Sequence, residues 1–237
     1  MRFIVMHKTN VHWESGAAPG PELIARVGTL LGELAKTRRL LGAEGLRASS
    51  EGVRLRFSAG TRTIINGPFE GGNELPAGFS IVRARSMTDA IEWAAREAMA
   101  AGDLEVDIRP VTEPWDIGMG PTPPDVTTRR YMVLRKATAA TEAGVKPSAT
   151  QPSAPEDSTG RRMRVVVTET MRPSSRGRGY KNSGNGLTMM DGPFAETKEL
   201  IGGYVIVSAE SLDDAGEVAA QYIKVVEADE VDVRELE

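Results

Sequence analysis

The chain has 237 residues, 40% apolar, with a formal net charge of −4 and no cysteine. Disulfides, thiolate catalysis and cysteine-based metal sites are therefore excluded, and the mild negative charge gives no general reason to expect nucleic acid as a partner. Met1-Arg2 runs straight into Phe3-Ile4-Val5-Met6, too short an apolar run for a signal peptide. No run approaches the roughly 20 residues of a membrane span, so a cytoplasmic location without membrane attachment is expected.

In chain order, Met1–His7 alternates and is rich in strand formers. Pro21–Lys36 puts Leu23, Ile24, Val27, Leu30, Leu31 and Leu34 on one helical face, with Pro21 suited to the first turn. Leu40–Ser50 reads as a short strand running into a loop. Val53–Phe57 and Thr61–Ile65 flank a turn at Ala59-Gly60, and Phe79–Val82 is a further strand. Ser86 precedes an apolar helix, Met87–Met99, with Asp89 three residues on, a spacing close to a capping box. Val106–Arg109 closes this copy as a strand. Residues 113–127 carry Pro114, Pro121, Pro123 and Pro124 and read as a linker, with Trp115 as a candidate anchor.

The same series then returns. Arg130–Lys136 repeats the first strand, Val165–Ser175 repeats Leu40–Ser50, and Tyr204–Val207 repeats Phe79–Val82. Ser211, Asp214 and the helix Leu212–Val225 repeat the capped helix, and Val231–Arg234 repeats the last strand. The offset is constant at 125 from Glu44/Glu169 (169 − 44) to Arg109/Arg234 (234 − 109). A repeat of this length means two copies of one unit, expected as domains 1–112 and 128–237. The second copy has no apolar helical face at 138–160, which is rich in Pro, Ser, Thr and Ala and is expected to be poorly ordered. Each copy reads β-α-β-(hairpin)-β-α-β, an α+β ferredoxin-like sandwich with one sheet face left uncovered by helices.

The sharpest motif is Asp191-Gly192-Pro193-Phe194-Ala195-Glu196-Thr197-Lys198-Glu199, echoed at 66–74 by Asn66-Gly67-Pro68-Phe69-Glu70-Gly71-Gly72-Asn73-Glu74. The nonapeptide resembles the signature of the DGPF family within the YCII-related superfamily. The likeness extends through Pro21-Glu22-Leu23, Glu44-Gly45-Leu46 and Ile91-Glu92-Trp93-Ala94. It implies a dimeric α/β-barrel type of fold. Sheet faces left uncovered by helices would otherwise be apolar patches, so the two copies are expected to dock as an intramolecular pseudo-dimer, and a homodimer is compatible with this. The resemblance also implies an accessory or regulatory role beside an extracytoplasmic-function sigma factor. Some YCII relatives are thought to use an Asp–His pair in lyase-like chemistry. The only histidines here are His7 and His12, in the first copy, and Arg135 stands where His7 would recur.

The alternative function is acid/base chemistry on a small anionic substrate. Asp191 would act as base, Glu169 as its acid partner and Lys198 as the anion holder. Glu199, Glu44 and His7 are further binding candidates. Gly67, Pro68, Phe69, Gly192, Pro193 and Phe194 are read as structural, the two Phe as core anchors. Asp191 also has a purely structural reading, accepting N–H bonds within its turn. His7, His12 and Glu14 make only a weak metal signal, and neither metal nor cofactor is expected. The cluster Arg161–Arg164, Arg172, Arg176, Arg178 and Lys181 carries no nucleic-acid reading motif, so a solvated face is the expectation.

Overall fold

A computed structural model describes residues 1–69, 74–145, 163–183, 186–194 and 200–237. Lys198, Glu199, Asn73 and most of the 138–160 segment lie outside the described residues. The elements run β1 (Arg2–Lys8), α1 (Val11–Glu14), α2 (Pro21–Lys36), β2 (Leu40–Gly45), β3 (Val53–Ser58), β4 (Thr61–Asn66), β5 (Pro76–Ala84), α3 (Met87–Ala101) and β6 (Glu105–Pro110). They continue as β7 (Arg129–Lys136), α4 (Ala139–Glu142), β8 (Arg164–Thr170), β9 (Gly177–Ser183), β10 (Gly186–Asp191), β11 (Ile201–Ser208), α5 (Leu212–Val225) and β12 (Glu230–Glu235). Among the described residues no helix is long and apolar enough to cross a membrane.

The strands form two antiparallel six-stranded sheets, ordered β10-β9-β12-β1-β11-β2 and β4-β3-β6-β7-β5-β8. Each takes strands from both sequence copies. The compact units are accordingly interleaved: a terminal unit of Met1–Gly45 with Met171–Glu237, and a central unit of Leu46–Thr170. This partition differs from the expected domains 1–112 and 128–237. The repeat located the elements, but strand pairing joins the opening β-α-β of each copy to the closing half of the other. Within the terminal unit the strands β12-β1-β11-β2 keep the ferredoxin-like order, since β1 pairs with both β11 and β12 and β11 pairs with β2. In the central unit β6-β7-β5-β8 repeats that order.

Each unit has its own core. In the terminal unit Leu30 and Leu34 of α2 and Val218, Tyr222 and Ile223 of α5 pack on Val5, Val205, Val207, Val231 and Val233. In the central unit Trp93, Ala94 and Ala98 of α3 pack on Leu55, Val82, Val106, Ile108 and Val133. The capped starts read from sequence are present: the Ser86 and Ser211 hydroxyls accept from the Asp89 and Asp214 N–H groups, each at 3.1 Å. Among the described residues the corresponding helix of the second copy is α4, four residues opened by Thr138.

Part of the Pro-rich linker is fastened in place. A short 3-10 turn, Pro114–Ile117, is held by Asp116, which pairs with Arg129 and accepts from the Glu113 N–H at 2.9 Å, and buried Glu113 binds Arg130. Four members of the basic concentration of the second copy meet acids nearby. Arg172 and Arg176 pair with Glu235, Arg178 with Asp191 and Asp213, and Lys181 with Glu230.

Candidate functional site

The Gly-Pro-Phe part of the motif is a clamp. A Cβ on Gly67 would sit 1.7 Å from the Ser49 carbonyl oxygen, and one on Gly192 would sit 1.8 Å from that of Ser174, so no larger residue fits. The Gly67 and Gly192 N–H groups bond the carbonyls of Gly52 and Gly177, each at 3.0 Å. The Phe69 and Phe194 N–H groups bond the Ser49 and Ser174 hydroxyls at 3.3 and 3.0 Å. Both Gly-Pro peptides are cis. This geometry explains why the turn recurs in both copies although the acid before it does not.

Asp191 itself stands on the sheet's edge strand with its side chain 67% exposed, accepting from Arg178 Nε at 2.7 Å. Arg178 also binds Asp213 at 2.6 Å, so the carboxylate belongs to a surface ion network. Glu169, its proposed acid partner, is buried on β8 in the central unit, whereas Asp191 belongs to the terminal unit. Glu44 is half-buried on β2, opposite Tyr204. The described residues include no group of His, Asp and Glu arranged to hold a metal.

Interleaving changes what His7 can meet. Although His7 comes from the first copy, β1 lies two strands along from β9, the hairpin partner of Asp191's strand, so His7, Asp191 and the intact Gly192-Pro193-Phe194 turn share the terminal unit. Alternation sends His7 to the helix-covered side, where its Nδ1 lies 2.8 Å from the Tyr222 hydroxyl. The two rings meet edge to face at 5.6 Å between centroids. Burial holds the Tyr222 phenol far above its ordinary range, so it stays protonated at neutral pH. The imidazole packs against Gly202 and Gly203, where a Cβ would come within 2.7 Å of Nε2 and Cε1 respectively. The central unit repeats this corner with an arginine: Arg135 Nη2 lies against Gly78 and bonds Thr170 Oγ1 at 3.1 Å.

On the face of β1 opposite His7, buried Lys8 meets buried Asp232 at 2.6 Å. The central unit has the same pair as Lys136 and Asp107, at 2.7 Å, and adds two groups. Arg54 donates Nε and Nη2 to the two Asp107 oxygens at 2.6 and 2.8 Å, and Nη2 also to Glu74. Phe69 stacks on the guanidinium at 4.6 Å. Burial opposes charge on Arg54, but Asp107 and Glu74 outweigh it and hold the guanidinium above its usual range. Burial likewise raises Asp107, and Arg54 with Lys136 more than offset this, leaving it below the usual carboxylate range. The sequence reading passed over Lys8, Asp232, Arg54, Asp107 and Tyr222. The visible signal was a charged residue at the same inward place of matching apolar strands, Asp107 and Asp232, in both copies.

The YCII-related domain matches residues 131–236. No curated protein and no solved structure matches the chain.

Proposed function

We propose that the terminal unit is a small-molecule site doing acid/base chemistry through His7, and that the central unit is its structural copy. One observation carries this reading: the two units diverge at the same corner, His7 against Gly203 and Tyr222 in one, Arg135 against Gly78 in the other. An imidazole exchanges protons near neutral pH, whereas a guanidinium does not. The protonated, fully enclosed Tyr222 hydroxyl fixes the ring from the Nδ1 side, as a positioning partner does in proton-transfer sites. Asp191 shares the unit and supplies surface charge, not an enclosed base. The earlier assignment of an anionic substrate to Asp191, Glu169 and Lys198 has less support, since Asp191 is engaged by Arg178 and Glu169 belongs to the other unit.

The test is a fragment screen on the full chain read at the imidazole resonances of His7, repeated with His7→Gln and Tyr222→Phe. Hits should shift His7 and be lost in His7→Gln, while Tyr222→Phe should alter the ring's titration and leave the fold intact. Hits that spare His7, or that bind His7→Gln equally well, refute the reading. The accessory role beside a sigma factor rests on the motif resemblance alone, and co-purification of a sigma factor, undiminished in His7→Gln, would favour it. The proposal that the two units dock as a pseudo-dimer rests on the expectation that sheet faces left uncovered by helices are buried, and solution scattering from two independent bodies would overturn it.

A further inference from the structure

The two units also differ on the opposite sheet face, and this difference does not depend on the reading of His7. In the central unit Arg54 is the cross-strand neighbour of Asp107, and in the terminal unit that place, opposite Asp232, is Gly179. Three neighbours are shared: Lys8 for Lys136, Asp232 for Asp107, Phe194 for Phe69, while Glu199, the sequence counterpart of Glu74, lies outside the described residues.

Asp107 uses both oxygens on the Arg54 fork while bridging to Lys136. Asp232 is 3% exposed and meets Lys8 through Oδ2. Neither Lys8 Nζ nor Asp232 Oδ2 has an aligned hydrogen bond among the described residues. Asp232 Oδ1 points at position 179, 3.5 Å from where a Cβ would stand. The Phe194 ring edge lies 3.5 Å from the same point. A buried carboxylate with one oxygen turned to a glycine beside an aromatic ring, and the other on a lysine, is placed as Asp107 is toward Arg54 and Lys136, where it accepts a planar N–C–N fork.

We propose that the terminal unit binds a small molecule bearing a guanidinium or amidinium group at Asp232, between the carboxylate edge and the Phe194 ring. The central unit supplies the template, with the chain's own Arg54 in the ligand's place. Asp232 then bridges Lys8 and the ligand as Asp107 bridges Lys136 and Arg54. Phe194 is 8% exposed and lies over Gly179, while Phe69 is half-buried and rides on its guanidinium. Ligand entry therefore lifts the Phe194 ring to the stacked position seen at Phe69. Met190, cross-strand from Gly179 on its other side, is 64% exposed.

The experiment is a titration of the isotope-labelled full chain with methylguanidinium, with methylammonium as comparator, following the Gly179 and Asp232 amides. Methylguanidinium should give a saturable shift and methylammonium should bind about tenfold more weakly or not at all, since a single ammonium cannot span both oxygens. Gly179→Arg should keep the folded spectrum and abolish the shift, because its Cβ makes only ordinary contacts and its guanidinium would occupy the site. Phe194→Leu should weaken binding several-fold by removing the stack. His7→Gln should leave binding unchanged, which separates this site from the His7 reading. No saturable shift in the wild type, equal binding of the two cations, or undiminished binding by both Gly179→Arg and Phe194→Leu overturns the proposal.

Discussion

Replacing Arg54 by methionine tests the central cluster most directly. Arg54 and Lys136 face Asp107 and Glu74, all nearly inaccessible to water, and the less buried Glu105 lies 3.5 Å from Arg54. Arg54→Met fills similar volume but leaves both carboxylates on Lys136 alone among the described residues. Removing one member of a buried charge set costs about 3–5 kcal/mol, because the remaining charge stays buried and uncompensated. With a urea slope of about 2 kcal/mol per molar, the midpoint of the central unit should fall by about 2 M. Fluorescence of Trp93, buried in that unit's core, reports its unfolding. The double variant Arg54→Met, Glu74→Gln should recover at least half of the loss, since it leaves Lys136 paired with Asp107, as Lys8 pairs with Asp232 among the described residues of the terminal unit. A loss below about 1 kcal/mol, or no recovery in the double variant, would refute the view that charge balance holds this cluster together.

Three further outcomes follow from single side chains. Burial pushes the Asp103 carboxyl up to about 6 from 3.8, with Arg135 opposing. The fold therefore favours its protonated form, a contribution present below the unfolded value and lost as pH rises through about 6. Asp103→Asn should be more stable than wild type by about 1–2 kcal/mol above that pH and equal to it in acid, as measured by denaturation at several pH values. Asp191→Asn should change stability by under about 1 kcal/mol, since its ion pair with Arg178 is exposed; a larger loss by thermal melting would give the carboxylate a structural role. Gly192→Ala should cost about 1–3 kcal/mol or more, because its Cβ collides with the Ser174 backbone, and a melting temperature equal to wild type would contradict the clamp.

The elements were legible because each carries a local signal. Leu30 and Leu34 lie on the predicted helical face, Ser86 and Ser211 cap as spaced, and Ala59-Gly60 turns β3 into β4. The partition was not legible, because a repeat fixes what each strand is and leaves open which copy it pairs with. Both copies present equivalent edges, so β1 satisfies its hydrogen bonds equally well on β11 and β12 of the other copy. The candidate site suffered from the same ambiguity. His7 and the intact turn looked separated because they lie in different copies, and the pairing unites them in one unit. The motif drew attention to Asp191, while the buried charges at Asp107 and Asp232 lay unremarked within ordinary-looking strands.

The interleaved arrangement makes a prediction about cutting the chain. Residues 1–112 contain β1 and β2 without β9 to β12, and β3 to β6 without β7 and β8, so neither sheet can be completed. That fragment should be largely unfolded or should associate through unpaired edges. The terminal unit, by contrast, should fold as a permuted chain running Met171–Glu237, a short Gly-rich link, then Met1–Gly45. The link is feasible because β12 ends beside the start of β1: Phe3 pairs with Glu235, and the Leu236 N–H bonds the Arg2 carbonyl at 2.9 Å. Joining neighbouring antiparallel strands by a tight loop asks no more of the chain than a hairpin does. The permuted chain should show one cooperative unfolding transition and keep the His7 to Tyr222 contact, seen as a ring-to-ring nuclear Overhauser effect. A folded 1–112 fragment beside an unfolded permutant would mean that each copy completes its own sheet, and the exchanged pairing would be wrong.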